Sequence, residues 1–325
     1  MSTTPSQLWL FRLLIHLRRR SSKAGFTLIE LLISIIIVGI IISGLLYLVV
    51  EMLQLDRREF VLNQVSTDMN RAMDYITNDV EEAIYVYSNP MDVVSELSDV
   101  GADEKPVLAF WRPDLLDQDD LDKIKSSCSP AAECALLKER QAFLTLVVYL
   151  QEENTDDSIW NGETRIVRYS LPNYTSITSS LNSKSTPGYN DPTLINGNGF
   201  ANWVANGTTD GIKQVLVDSV DKFEPESDID EAACPNPDPA NPIYTLSPST
   251  PTLDSKKSFY VCVREASVGT NALGDTINSN QDLIVFLRGN AIANQDGLIN
   301  ALSDASEFPT IQSRVLLRGV RGEEL

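Results

Sequence analysis

Histidine is almost missing from this sequence: one residue, His16, in 325. Everything downstream of it therefore lacks His-based triads and His-based acid–base catalysis. Cysteine is scarce as well, at Cys128, Cys134, Cys234 and Cys262, with no C-x-x-C spacing, so a Cys/His zinc site is excluded and no metal is expected. Neither a P-loop nor a G-x-S-x-G turn occurs, and Gly197-Asn198-Gly199 is a polar fragment without a strand before it or a helix after it. Positive charge runs short too, with 26 Lys and Arg against 45 Asp and Glu and a net charge of −19. Of those bases, Arg12, Arg18, Arg19, Arg20 and Lys23 fall in the first 25 residues, where there is no acid. A basic N-terminal piece thus precedes a strongly acidic body. Such a body repels nucleic acid and anionic headgroups, which excludes nucleic acid as a partner.

What is present is concentrated. From Phe26 to Val50 runs a stretch of Leu, Ile and Val with no proline, with Gly39 and Gly44 as its flexible points and Glu30 as its only charge. As a helix it reaches roughly 37 Å, against about 30 Å of hydrocarbon in a bilayer. The preceding flank is basic and the following one begins with Glu51 and Asp56. The positive-inside rule then keeps the N-terminus cytoplasmic and exports the body into an oxidising space. An ordinary secretory signal has a shorter apolar region, with small residues after it. Here Ala24-Gly25 stand before the apolar run, so cleavage at Gly25 removes the leader and keeps the helix. The new amine of Phe26 lies four residues from Glu30. A carboxylate in a membrane helix costs about 2.5–3.5 kcal/mol at its centre, less near an end, and a nearby amine offsets that cost. In staggered helices the amine of one chain can meet Glu30 of its own or a neighbouring chain and set the register of a polymer.

Gly25-Phe26-Thr27-Leu28-Ile29-Glu30 resembles the class III signal of type IV pilins and type II secretion pseudopilins. The resemblance implies cleavage between Gly25 and Phe26 by a prepilin peptidase, N-methylation of Phe26 and an assembly role for Glu30. It also implies an α+β, pilin-like fold: a long N-terminal α-helix, membrane-spanning in its first half, packed on an antiparallel β-sheet body with long loops. The expected divisions are a cleaved leader at 1–25, a transmembrane assembly helix at 26–50, its amphipathic continuation at 51–88 and an exported β-rich domain at 89–325. Segments 214–223 and 313–319 are similar to the ends of minor pseudopilins of the J type and minor pilins of the W type. The long polar loops and acidic body resemble the C-type pseudopilins of cyanobacterial hormogonium polysaccharide secretion. The implied partners are other major and minor pseudopilins, the prepilin peptidase, an inner-membrane platform protein and, indirectly, a secretion ATPase. The implied place is the inner membrane as a single-pass protein with a periplasmic body, and then a fibre.

Beyond the membrane segment, Val61, Val65, Met69, Ala72, Met73, Ile76, Val80 and Ile84 recur at steps of three and four, predicting a helix continued to about Tyr85 with its stripe on the body's own sheet. Strands are predicted at 107–111, 143–151, 165–171, 214–220, 259–264, 283–287 and 311–317. Between them lie polar stretches at 172–211 and 225–257, long enough to be either recognition surfaces or passive elaborations. Four cysteines allow three pairings, of which Cys128–Cys134 with Cys234–Cys262 closes the shortest loops; reduced thiols are the alternative. The acidic run 114–122 lacks the glycine and terminal glutamate of a calcium loop and reads as a solvated loop or helix start. The sequons Asn173-Tyr174-Thr175 and Asn206-Gly207-Thr208 mark segments able to be exposed. Carboxylate pairs are expected from 45 acids by composition alone, so no enzyme and no cofactor is expected. The expected function is structural: a minor pseudopilin driving export of polysaccharide or protein. A membrane-anchored receptor module and a carbohydrate-active enzyme are the alternatives.

Overall fold

The structure is a computed structural model that describes residues 25–126, 128–155, 159–160, 162–195, 199–222, 234–236, 242–248, 258–264, 267–270, 276–279, 281–291 and 309–317. The basic leader, most of the 225–257 stretch, Gly197-Asn198 and the end of the 313–319 segment lie outside the described residues. The chain divides into two units, one up to Arg57 and one from Arg58 onward. In the first, helix α1 (Leu28–Glu81) begins and presents only exposed side chains.

In the second unit α1 continues to Glu81, and its character changes from apolar all round to striped. Val65, Met69, Ala72, Met73, Ile76 and Val80 are buried, with Val61 packed partly against them. The helix stops earlier than the apolar spacing predicts. Past Glu81 the alternating Ile84-Tyr85-Val86-Tyr87 run leaves the helix and forms β1 (Tyr85–Val86). β-Branched and aromatic residues suit a pleated strand, and the edge of β2 supplies the pairing partners Trp111 and Phe110.

An antiparallel five-stranded meander follows in the order β1, β2 (Lys105–Leu115), β3 (Ala142–Glu153), β4 (Thr164–Pro172) and β5 (Ile212–Val220). A second antiparallel sheet has the order β11 (Thr310–Leu316), β10 (Asp282–Arg288), β7 (Phe259–Arg264) and β6 (Thr245–Ser247). A separate hairpin pairs β8 (Ser267–Thr270) with β9 (Thr276–Ser279). Each of the seven predicted strands is present. The sequence reading lacked β1, β6, the β8–β9 hairpin and helices α2 (Met91–Val94) and α4 (Ala131–Arg140), and of α3 (Gln118–Ser126) it offered only a helix start as one alternative.

Both faces of the first sheet are covered, which is why β2 and β3 read as continuous apolar runs rather than alternating ones. Phe110, Val147, Tyr149 and Ile166 share a core with the α1 stripe and with Val261, Val263, Leu283 and Val285 of the second sheet. Their neighbours Ala109, Trp111, Val148, Val167 and Tyr169 face the other way, onto Val93, Leu97, Tyr189 and Trp203. The described part of 172–211 therefore packs against the sheet through Tyr189, Phe200 and Trp203. Trp111 makes edge contacts with Trp203, Tyr189 and Phe200, and its indole donates to the Tyr87 hydroxyl at 2.9 Å. Gly289 lets the second sheet approach α1, since a Cβ there would lie 2.8 Å from Val65 Cγ1 and 2.9 Å from Met69 Cγ.

The acidic run resolves into the end of β2 and the start of α3, where Asp117 Oδ1 accepts from the Asp120 amide at 2.7 Å. It is a helix start. The cysteines pair as Cys128–Cys134, across the α3–α4 turn, and Cys234–Cys262, which ties the 234–248 segment to β7.

Near the end of α1 the stripe contains an acid. Asp79 is buried, with Arg112 Nη1 2.5 Å from one carboxylate oxygen and Arg168 Nε 2.7 Å from the other. The Tyr149 hydroxyl donates to Asp79 at 2.7 Å. Burial opposes ionisation, but the Arg168 bond and charge, with Tyr149 and Arg112, outweigh it and hold the carboxyl below its ordinary range. Three strands are thereby clipped to one turn of helix. Where the two sheets meet, Asp221 titrates the other way. Its amide donates to the Arg288 carbonyl at 3.1 Å, and Asn290 donates back to Ser219 at 2.8 Å. Burial, chiefly, and then the Glu163 carboxylate push Asp221 up to about 6, against the Arg288 guanidinium 3.1 Å away and the Asn290 amide.

Two outcomes follow from these carboxylates. Asp79→Ala leaves Arg168 and the Tyr149 hydroxyl without their acceptor, and should cost about 3–5 kcal/mol, read as a lower denaturation midpoint at unchanged slope. Because the Asp79 pKa is depressed on folding, its contribution is present above the unfolded value of about 3.9 and is lost as pH falls through the folded value. Asp221 has the opposite sign. The folded state binds its proton more tightly, so that contribution is full below about pH 4 and is lost as pH rises through about 6. Asp221→Asn should remove a decline on the order of 2 kcal/mol between those pH values, measured by denaturation at a series of pH values.

Candidate functional site

The segment singled out by its sequence is the start of α1. Gly25, Phe26 and Thr27 precede the helix and Leu28 begins it. Gly25 has no atom within 4 Å of where a Cβ would stand, and Phe26 is 78% exposed. The peptide bond between them lies outside regular structure in an exposed segment. Gly25, Phe26 and Glu30 thus lie together in one short exposed segment. Cys128, Cys134, Cys234 and Cys262 are remote from it in sequence and belong to the second unit.

Thr27 is the residue that sequence reasoning missed. Its carbonyl accepts from the amides of Glu30 at 3.1 Å and Leu31 at 3.2 Å, and its hydroxyl lies 3.4 Å from the Glu30 amide. Thr27-Leu28-Ile29-Glu30 is thus an S/T-x-x-E helix start, and that pattern was the available signal. Glu30 sits in the first turn of α1, where unpaired amides and the helix dipole favour a negative charge. The acid therefore has two physical supports before any partner arrives, which lowers the cost of keeping it beside apolar surface.

Downstream of Glu30 the helix carries Ile35, Ile36, Ile37, Ile40, Leu45, Leu46 and Leu48 at half exposure or more. The Ser34 hydroxyl donates to the Glu30 carbonyl at 2.7 Å and the Ser43 hydroxyl to the Gly39 carbonyl at 2.8 Å, so both polar side chains are satisfied inside the helix. Among the described residues α1 is the one helix long and apolar enough to cross a membrane, and its apolar window is wholly unburied. Water does not tolerate that much apolar surface, so lipid or other helices must cover it. No group of three or more His, Cys, Asp or Glu positioned for a metal occurs among the described residues.

Residues 20–46 match the family model of the prokaryotic N-terminal methylation motif. No curated protein and no solved structure matches the chain. The matched residues span the end of the basic N-terminal piece, the Gly25-Phe26 bond, Glu30 and most of the apolar run. An N-terminal methylation motif implies processing by a prepilin peptidase and assembly with other pilins, and it points to a structural subunit rather than an enzyme. Together with the apolar helix it fits a membrane-anchored, single-pass protein. The motif and the α+β architecture support a type IV pilin-like or pseudopilin-like chain.

Proposed function

We propose that this chain is a minor pseudopilin, a structural and assembly subunit of a type IV pilus-like or type II secretion-like fibre that drives export of polysaccharide or protein. The observation that carries the reading is the run from Gly25 to Val50: an exposed cleavable bond, a capped helix start with one acid, and an unbroken apolar helix behind it. On this reading the peptidase cuts between Gly25 and Phe26 and methylates the Phe26 amine. Residues 1–25 are discarded, 26–50 hold the subunit in the inner membrane, 51–88 lead out of it, and the body from 89 onward is periplasmic. Partners are other major and minor pseudopilins, with a platform protein in the inner membrane and a secretion ATPase acting through it.

Glu30 has a defined part in this scheme. The methylated amine is positive, and a carboxylate in the first turn of a helix can reach either its own amine or that of a staggered neighbour. In low dielectric that attraction is strong enough to make an unpaired Glu30 unfavourable, so subunits add only in the register that pairs it. The J-type and W-type resemblances support a minor subunit that helps to start such fibres, and the hormogonium-type resemblance supports polysaccharide as the exported material. The length of the body supports the first of these.

Intact-mass analysis of the protein recovered from its native membrane should show loss of residues 1–25 and one added methyl group. An uncut N-terminus would move the chain to the class of membrane-anchored binding modules. Glu30→Ala should be cut normally yet remain in the membrane fraction while wild-type subunits enter fibres. Normal incorporation of that variant would refute the register role.

A further inference from the structure

A pocket of about 240 Å³ opens between α4, the start of β3 and the packed segment that follows β4. Its apolar walls come from Phe143, Tyr174 and Tyr189, and its polar edge from Asn173, Asn190 and Asn206. Two of these asparagines belong to the sequons at 173 and 206, which the fold brings to one place.

The charges around it are already matched. Arg140 pairs with Asp191 at 3.1 Å and donates to the Thr193 hydroxyl at 2.8 Å. The Tyr174 hydroxyl donates to Glu133 at 3.1 Å, and the Tyr189 hydroxyl to the Leu144 carbonyl at 2.9 Å. Among the described residues lining the pocket Arg140 is the one cation, and its salt bridge leaves no ready counter-charge for a phosphate or carboxylate. Burial pushes the Tyr174 and Tyr189 phenols up, so both remain protonated hydroxyls.

Both walls are also held in place before anything binds. The Cys128–Cys134 disulfide closes the turn that leads into α4. Ser129 donates to Ser179 at 3.0 Å and accepts from Leu181 at 3.0 Å, which ties that turn to the opposite wall. Within this wall Asn206 donates to the Gly188 carbonyl at 2.9 Å. Gly188 has φ +74°, and a Cβ there would lie 2.7 Å from Thr208 O, so the close approach requires glycine. A pocket ordered in advance loses little entropy on binding.

Asn190 Nδ2 already donates to the Val204 carbonyl at 3.1 Å, and the Asn173 side chain bonds the Tyr174 hydroxyl. Yet each carboxamide has a donor pair and an acceptor, so capacity remains for adjacent hydroxyl groups that both give and accept hydrogen bonds. Aromatic walls complement the apolar C–H faces of a saturated ring. The volume lies below the roughly 300–1,000 Å³ of sites for drug-sized ligands, leaving room for a single ring. We infer that this pocket binds one neutral sugar residue, at the end or a branch of a glycan. The inference stands apart from the pilin-like reading, because it rests on no residue before Cys128.

The test uses the full-length chain in a detergent without a sugar headgroup and follows titrations by saturation-transfer NMR. The probes are glucose, galactose, mannose and N-acetylglucosamine, with glucuronate and inorganic phosphate as anionic comparators. Saturable binding of at least one neutral sugar is expected at millimolar concentration or below. Leu194, exposed at the pocket, allows a block without disturbing the core: Leu194→Trp should abolish binding and Leu194→Ala should keep it. Asn206→Ala should weaken it about tenfold, equivalent to one hydrogen bond. Near-UV circular dichroism checks that each variant is folded. No saturable response to any neutral sugar, unchanged affinity in both Leu194→Trp and Asn206→Ala, or preference for phosphate or glucuronate would overturn the assignment.

Discussion

At Asp79 the apolar stripe of α1 runs into two guanidinium groups and a phenol, and the body is organised around that meeting. The carboxylate is nearly sealed from water, so it can stay ionised only while Arg112, Arg168 and Tyr149 face it together. Those residues come from β2, β4 and β3, on the face that also carries Phe110 and Ile166. One buried acid thus sets which face of the sheet meets the helix and at which turn. Apolar packing above it, from Val65 to Ile76, supplies most of the driving force but little directional information. The charge cluster supplies the direction.

A similar division of labour joins the two sheets. Val220 bridges Gly289, and the Gln281 side chain bonds both the amide and the carbonyl of Val86, at 3.1 and 3.0 Å. Ser247 donates to the Val107 carbonyl at 2.6 Å, and Gln151 reaches both Thr164 and Ser258 at 2.9 Å. These are buried polar contacts between apolar layers, and each satisfies groups that would otherwise be costly to bury. Within the second sheet, fully buried Asp282 gathers Arg264, Arg314 and the Tyr244 hydroxyl from three neighbouring segments. Acidic residues are plentiful in this chain, and the few that are buried act as cross-links.

Most of the regular elements were legible from residue spacing because burial on one or two faces leaves a periodic trace. The stripe from Val61 to Val80 and the seven strands are examples. The exit of the chain at Glu81 was not legible, since Ile84 continues the helical spacing while the run through Tyr87 also suits a strand. Only the free edge of β2 decides between them. Helix α4 was hidden by its charges, and the packing of the described residues after β4 was hidden by their polar composition. Tyr189 and Trp203 are isolated aromatics in sequence and acquire meaning only when Trp111 lies between them. At the functional segment, Gly25, Phe26 and Glu30 stood out by their flanks, whereas Thr27 needed the capping geometry to be noticed.

The sequence by itself determined the N-terminal chemistry of this protein: a basic first stretch, a small residue before an aromatic one, an acid four residues on, and an apolar run long enough for lipid. Those properties are local, so neighbouring residues suffice to express them. It also determined that no histidine is available downstream of His16, because composition needs no fold. Only the tertiary structure decided where α1 ends, which cysteines meet, which acids are buried and which way each one titrates. Each of these depends on residues far apart in the chain and on the water excluded when they come together. The pocket beside Asn173 and Asn206 belongs to that second kind, since its walls are built from three segments that no spacing rule connects.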